Sequence, residues 1–217
     1  MFSLLRKISI KKLVEWGEIN VINGDDPASE FSKTLEVAIK GGHGWDAFLD
    51  YVIGGAGAYD NLVHWALKND YVEADICIRL SVQKNNFILL RWLYQRYPDN
   101  ASFKHCVANW AAEAGNLTIL KWAKKNKFIF DVDVCTYAAI IGNLDMLVWA
   151  RKPKHNCPWN ASVFYYAVNG AHWKLLEWAL RNNCETMVNA NIDMKKLAKA
   201  NKIKMQVERE RDLTNLV

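Results

Sequence analysis

Apolar positions along this chain recur in a fixed phrase: two small residues, a glycine-containing turn, an apolar helix start and a closing tryptophan. One copy runs from Ala111 and Ala112 through Gly115, Asn116, Leu117 and Leu120 to Trp122. The next runs from Ala138 and Ala139 through Gly142, Asn143, Leu144 and Leu147 to Trp149. A third takes in Ala167, Gly170, Ala171, Leu176 and Trp178, and looser copies occupy 54–65 and 81–92. The closing tryptophans, Trp65, Trp92, Trp122, Trp149 and Trp178, are separated by 27, 30, 27 and 29 residues. A period of this size predicts a stack of repeated helix–turn–helix units.

Each unit reads as a pair of short helices. In 133–152 the first helix spans 133–141. Gly142 then takes the left-handed conformation that ends it, and Asn143 caps the second helix by accepting a hydrogen bond from an exposed amide. Leu144, Leu147 and Trp149 spread over more than half of that second helix, as suits a helix packed on several sides. The alanine pairs let helix backbones approach closely. No single unit can bury its own apolar faces, so stability requires stacking. Between units come short linkers in which an aromatic precedes a turn-forming polar residue, Phe130 with Asp131 and Trp159 with Asn160. The aromatic is expected to plug the space between neighbours. On this reading the phrase tryptophans are core residues, and Trp159 is the tryptophan best suited to anchor a partner.

The ends differ from the middle. Residues 3–16 and 28–40 have helical patterns separated by a loop at 23–27 and closed by a glycine cluster at 41–44. Residues 193–211 are rich in lysine with a thin apolar side. The expected organisation is an N-terminal helical cap over 1–45, about five degenerate repeats over 46–184 and a basic C-terminal helical cap over 185–217. The fold class is all-α.

The repeat residues resemble ankyrin repeats. The small-residue pair, glycine and spaced leucines match the turn between the two ankyrin helices at Gly115 and Gly142, with an offset form at Gly170 and Ala171. Cys157, Pro158, Trp159 and Asn160, followed by Tyr166, Ala167, Glu177 and Trp178, resemble a divergent variety abundant in large DNA viruses and amoebae. Here the customary Thr-Pro-Leu-His opening is replaced by the stretch 133–136, and the unit falls short of about 33 residues. The resemblance implies an α-solenoid and a role as a protein–protein interaction scaffold, acting on a host protein if the source is viral. It also implies binding through a concave face of first helices and linker tips. The corresponding positions are Cys106, Asn109 and Glu113; Asp133, Thr136 and Ile140; Ser162, Tyr165 and Asn169; and Ile76, Arg79 and Gln83. From these come the expected partner-binding residues: Arg79, Gln83, Asn109, Glu113, Asp133, Thr136, Ser162, Tyr165 and Asn169, with Trp159 beside them.

Bulk composition narrows the remaining choices. The 217 residues are 51% hydrophobic with ten tryptophans, ample for a core. No apolar run reaches the roughly 18 residues of a membrane span, and the start lacks a secretory signal pattern. Five cysteines, an odd count without CxxC pairs, suit reduced thiols packed as small hydrophobes in a cytoplasmic protein. Lysines and arginines follow each phrase tryptophan: Lys124, Lys125 and Lys127; Arg151, Lys152 and Lys154; Arg181. They would form a ridge for nucleic acid, or simply favour helix C-termini electrostatically. With a formal net charge of only +5, the second reading is preferred. A nucleic-acid-associated protein and a structural or oligomerising module remain the alternatives. The pairs His105–Cys106 and His155–Cys157 fall in different linkers and make no metal site. The glycine runs lack a phosphate-loop ending. No catalytic constellation stands out, so neither an enzyme nor a cofactor is expected.

Overall fold

The computed structural model describes Ile53 and residues 60–68, 72–187 and 192–214. The expected N-terminal cap and the glycines at 41–44 and 54–57 lie outside the described residues. Among the described residues every regular element is helical. The chain divides into two compact units at Phe103/Lys104, inside a five-residue helix.

In the first unit, α1 (Asp60–Lys68) is followed by α2 (Ala74–Gln83) and α3 (Phe87–Arg96), which pack as a pair. Cys77, Ile78, Ser81 and Val82 of α2 face Leu89, Leu90 and Leu93 of α3 in the buried layer. The buried Ser81 hydroxyl donates to the Ile78 carbonyl at 2.7 Å, which satisfies it locally. The short helix at the division is α4 (Ala101–His105).

The second unit contains three helix pairs: α5 (Val107–Glu113) with α6 (Leu117–Lys125), α7 (Val132–Ile140) with α8 (Leu144–Ala150), and α9 (Ser162–Asn169) with α10 (Trp173–Arg181). Each first helix also packs against the next, α5 on α7 and α7 on α9. One burial pattern serves all of them. The inward positions are Val107, Ala108, Ala111 and Ala112 in α5; Val134, Cys135, Ala138 and Ala139 in α7; and Val163, Phe164, Ala167 and Val168 in α9. Spacing i, i+1, i+4, i+5 makes a stripe broad enough for a neighbour on each side.

Local signals build these pairs. Asp131 and Asn160 start α7 and α9 by accepting from the amide two residues on, and Asn100 and Asp193 do the same at their helices, all at 2.8–2.9 Å. Asn86, Asn116 and Asn143 cap the second helices, accepting from Leu89, Ile119 and Met146 at 2.9–3.0 Å. Gly115 and Gly142 each have φ +70° and end a first helix, as expected. In the third pair the left-handed residue is Ala171 (φ 56°), not Gly170, whose φ is −73°. Lys127 and Asn183, just after α6 and α10, take the same conformation, as does Asn156 in the loop after α8.

The phrase tryptophans sit less deeply than their apolar setting predicts. Trp149 is buried, whereas Trp92, Trp122 and Trp178 are only half-buried. Trp92 meets His64 of α1 at 5.5 Å between ring centres, whereas Trp122 and Trp149 cover the loops after their second helices. Trp122 meets Phe128 at 5.3 Å and Trp149 meets His155 at 4.3 Å between ring centres.

After the third pair comes one long helix, α11 (Met194–Thr214), which packs on both α9 and α10. Its register matches that of a first helix, but Lys196 stands where α9 has Val163, and exposed Asn201 where α9 has buried Val168. Lys196 Nζ donates to the Asn169 carbonyl, Arg211 donates to the Leu180 carbonyl, and Lys199 Nζ lies 4.5 Å from the Trp173 ring centre. The exposed pairs of Arg181 with Glu177 (3.0 Å) and Glu210 (2.7 Å) add little to stability.

Candidate functional site

With one side of each first helix buried, the opposite side is what the second unit offers to solution. Glu113, Asp133 and Ile140 are exposed there, and Cys106, Asn109, Thr136, Ser162, Tyr165 and Asn169 are half-buried. In the first unit Ile76, Arg79 and Gln83 are exposed on α2.

Several of these side chains are already engaged. Asn109 Nδ2 donates to Asp131 at 3.0 Å, tying α5 to the start of α7. The Thr136 hydroxyl donates back to the Val132 carbonyl at 2.9 Å. Asp131 therefore has two tasks: one carboxylate oxygen receives Asn109 and the other receives the Asp133 amide.

Beside the expected stripe lies a second one. Trp110, Tyr137 and Tyr166 occupy equivalent positions in α5, α7 and α9; the first two are half-buried and Tyr166 is exposed. Tyr165 and Tyr166 meet edge to face at 5.1 Å. Burial raises the Tyr137 phenol above its ordinary value, and the charges of Glu113, Asp133 and Asp131 raise it further. Reading every third or fourth residue back from the tryptophans steps over this aromatic row. The same residues compared by register, one position after Asn109, Thr136 and Tyr165, would have revealed it.

Charge divides between the two helix layers. The helices α5, α7 and α9 contain no lysine or arginine. In the three pairs of the second unit the lysines and arginines lie on second helices and the loops after them, and the structure gives two of them internal work. Lys124 Nζ lies 4.7 Å from the Phe130 ring centre and donates to the His155 carbonyl at 3.0 Å. Arg151 repeats the device one unit on: its guanidinium lies 4.3 Å from the Trp159 ring centre and donates to the Cys157 carbonyl at 2.6 Å. Phe130 and Trp159 in turn meet Trp149 and Trp178 at 6.2 and 6.1 Å. The linker aromatics thus bridge successive units as expected. Trp159 is half-buried, and these contacts group it with the second-helix ends and not with Asp133 or Tyr165.

The five cysteines are free thiols. Burial holds Cys77 up to about 12 and Cys184 up to about 11. A hydrogen bond with Cys157, then burial, raises Cys135. Among the described residues no group of three or more histidine, cysteine or acidic side chains is placed to hold a metal ion, and no helix is long and apolar enough to cross a membrane.

No family model matches this chain, and no curated protein or solved structure matches it either.

Proposed function

We propose that the chain is a non-enzymatic protein-recognition scaffold of ankyrin-like repeats, an α-solenoid that binds its partner through the outward side of its first helices. The observation that carries this reading is a contrast within the repeats. Buried positions stay apolar from α5 to α7 to α9, with valine and alanine unchanged at two of the four, whereas the outward sets Asn109, Thr136, Tyr165 and Glu113, Ile140, Asn169 change chemistry from unit to unit. A generic stack with a specified surface is the design of a binding module. The resemblance to viral repeat proteins makes a host-cell protein in the cytoplasm the class of partner to seek. A nucleic-acid role through the basic residues loses support, because Lys124 and Arg151 are committed to linker aromatics and loop carbonyls.

The test replaces Asn109, Glu113, Asp133 and Tyr165 together with alanine. Tagged wild type and variant, matched for helical content and melting temperature, are used for affinity purification read by mass spectrometry. A protein captured by the wild type and lost by the variant supports the scaffold. Equal capture by both overturns the assignment of this face, and capture of nuclease-sensitive material alone overturns the protein-scaffold reading.

A further inference from the structure

We infer that the first-helix face of the second unit takes a lysine- or arginine-rich extended segment of a partner protein, an inference that rests on reading this face as a recognition surface. Three observations carry it. First, the face is electrostatically one-sided. Glu113, Asp131 and Asp133 gather near Tyr137, none of them forms an ion pair among the described residues, and α5, α7 and α9 supply no cation. Second, aromatic rings lie among the carboxylates, with Trp110, Tyr137 and Tyr166 in register on adjacent helices.

Third, the protein shows what its half-buried rings do when a cation is near. Arg96 lies over Tyr97, Lys124 over Phe130, Arg151 over Trp159 and Lys199 over Trp173, at 4.3–5.9 Å. Among the described residues Trp110, Tyr137 and Tyr166 have no such cation. A ring face beside a carboxylate attracts a cation twice over, through the ring quadrupole and through charge-assisted hydrogen bonds. Phosphate-bearing partners are repelled by the same carboxylates.

Geometry sets the spacing of the ligand. Packed helix axes lie about 8–10 Å apart, and a segment extended as polyproline II advances about 3.1 Å per residue with every third side chain on the same side. A peptide crossing α5, α7 and α9 therefore meets successive aromatic positions with side chains about three residues apart.

A random dodecapeptide library panned on the full chain, with counter-selection on E113Q/D133N, tests this. The expected result is enrichment of peptides with lysine or arginine at every third position. A synthetic peptide from that pool should bind the E113Q/D133N variant about tenfold more weakly and lose affinity as salt is raised. Y137F should keep its affinity and Y137L lose several-fold, whereas K125E/K152E, on the second-helix side, should leave it unreduced. Variants are compared only where circular dichroism shows the wild-type fold. Enriched peptides that lack cations yet are lost on N109A/E113A/D133A/Y165A overturn this inference and leave the recognition face standing. Peptides that bind both variants as well as wild type, or no enrichment at all, overturn both.

Discussion

The imidazole of His172 is held against Gly142 of the preceding pair. Nε2 donates to the Ile140 carbonyl at 3.1 Å, since a carbonyl can only accept. A methyl group placed on Gly142 would stand 2.4 Å from His172 Nδ1, and one on Gly170 would stand 2.3 Å from Nε2. The ring thus lies where two glycines leave room for it, and it links the third pair to the second.

Gly142→Ala therefore combines two penalties. A left-handed alanine costs roughly 1–2 kcal/mol, and the ring must be displaced from its hydrogen bond. Gly115 has the same φ of +70°, but a methyl group there meets only Ile141 Cδ1 at an ordinary 3.4 Å. Urea denaturation should show G142A losing about 2–3 kcal/mol and G115A about 1 kcal/mol. Adding H172A should narrow that gap; an unchanged gap would refute the role of the ring.

Ala171 and Lys127 carry the opposite expectation. Both are non-glycine residues at φ 56° and 61°. Replacement by glycine relieves the strain at some cost in unfolded-state entropy, so Ala171→Gly and Lys127→Gly should each gain about 0.5–1 kcal/mol in the same assay. A loss of stability in A171G would contradict the backbone register assigned to the third pair.

His155 gives the fold a pH dependence with a definite sign. Burial, then the charges of Lys154, Lys124 and Lys152, lowers its proton affinity below the ordinary 6.5, and its Nε2 is buried without a partner. In the unfolded chain it takes up a proton near 6.5; in the folded chain it resists. The unfolded state thus binds more protons across that interval, so stability is full above about pH 6.5 and declines below it. His155→Phe, which keeps a ring against Trp149, should flatten the decline between pH 7 and 5 in thermal melts. A parallel pH profile for wild type and variant would rule the mechanism out.

Thiol labelling separates Cys106 from the rest. Cys77, Cys135, Cys157 and Cys184 are buried, and Cys106 is half-buried at the break between α4 and α5. Brief iodoacetamide treatment of the folded protein should add a single label, mapped to Cys106 by peptide mass. Rapid labelling at Cys135 or Cys157 would mean that the α7 layer opens far more readily than its packing implies.

The parts legible from sequence were those set by one or two neighbouring residues. Gly142 ending α7 and Asn143 capping α8 are local chemistry, and both occur as expected. Ala171 was not legible: Gly170 beside it is the natural candidate for positive φ, yet the turn places that conformation two residues before α10 whatever residue stands there. The depth of Trp122 and Trp178 was not legible either, because a tryptophan in a short helix can cover a loop as readily as fill an interface. The row of Trp110, Tyr137 and Tyr166 was hidden for a third reason. Its members lie far apart in the chain, and they line up only when the units are compared one position beyond Asn109, Thr136 and Tyr165.

The substitution of Lys196 and Asn201 for the valines of α9 has a consequence for how such a chain can lengthen. A stacked helix pair needs an apolar bed, and on α11 Lys196 turns back to the Asn169 carbonyl while exposed Asn201 stands in the place of Val168. A pair duplicated between α10 and α11 would find such a bed on one side, and would offer one to α11 on the other. Growth by internal duplication is therefore open to this architecture.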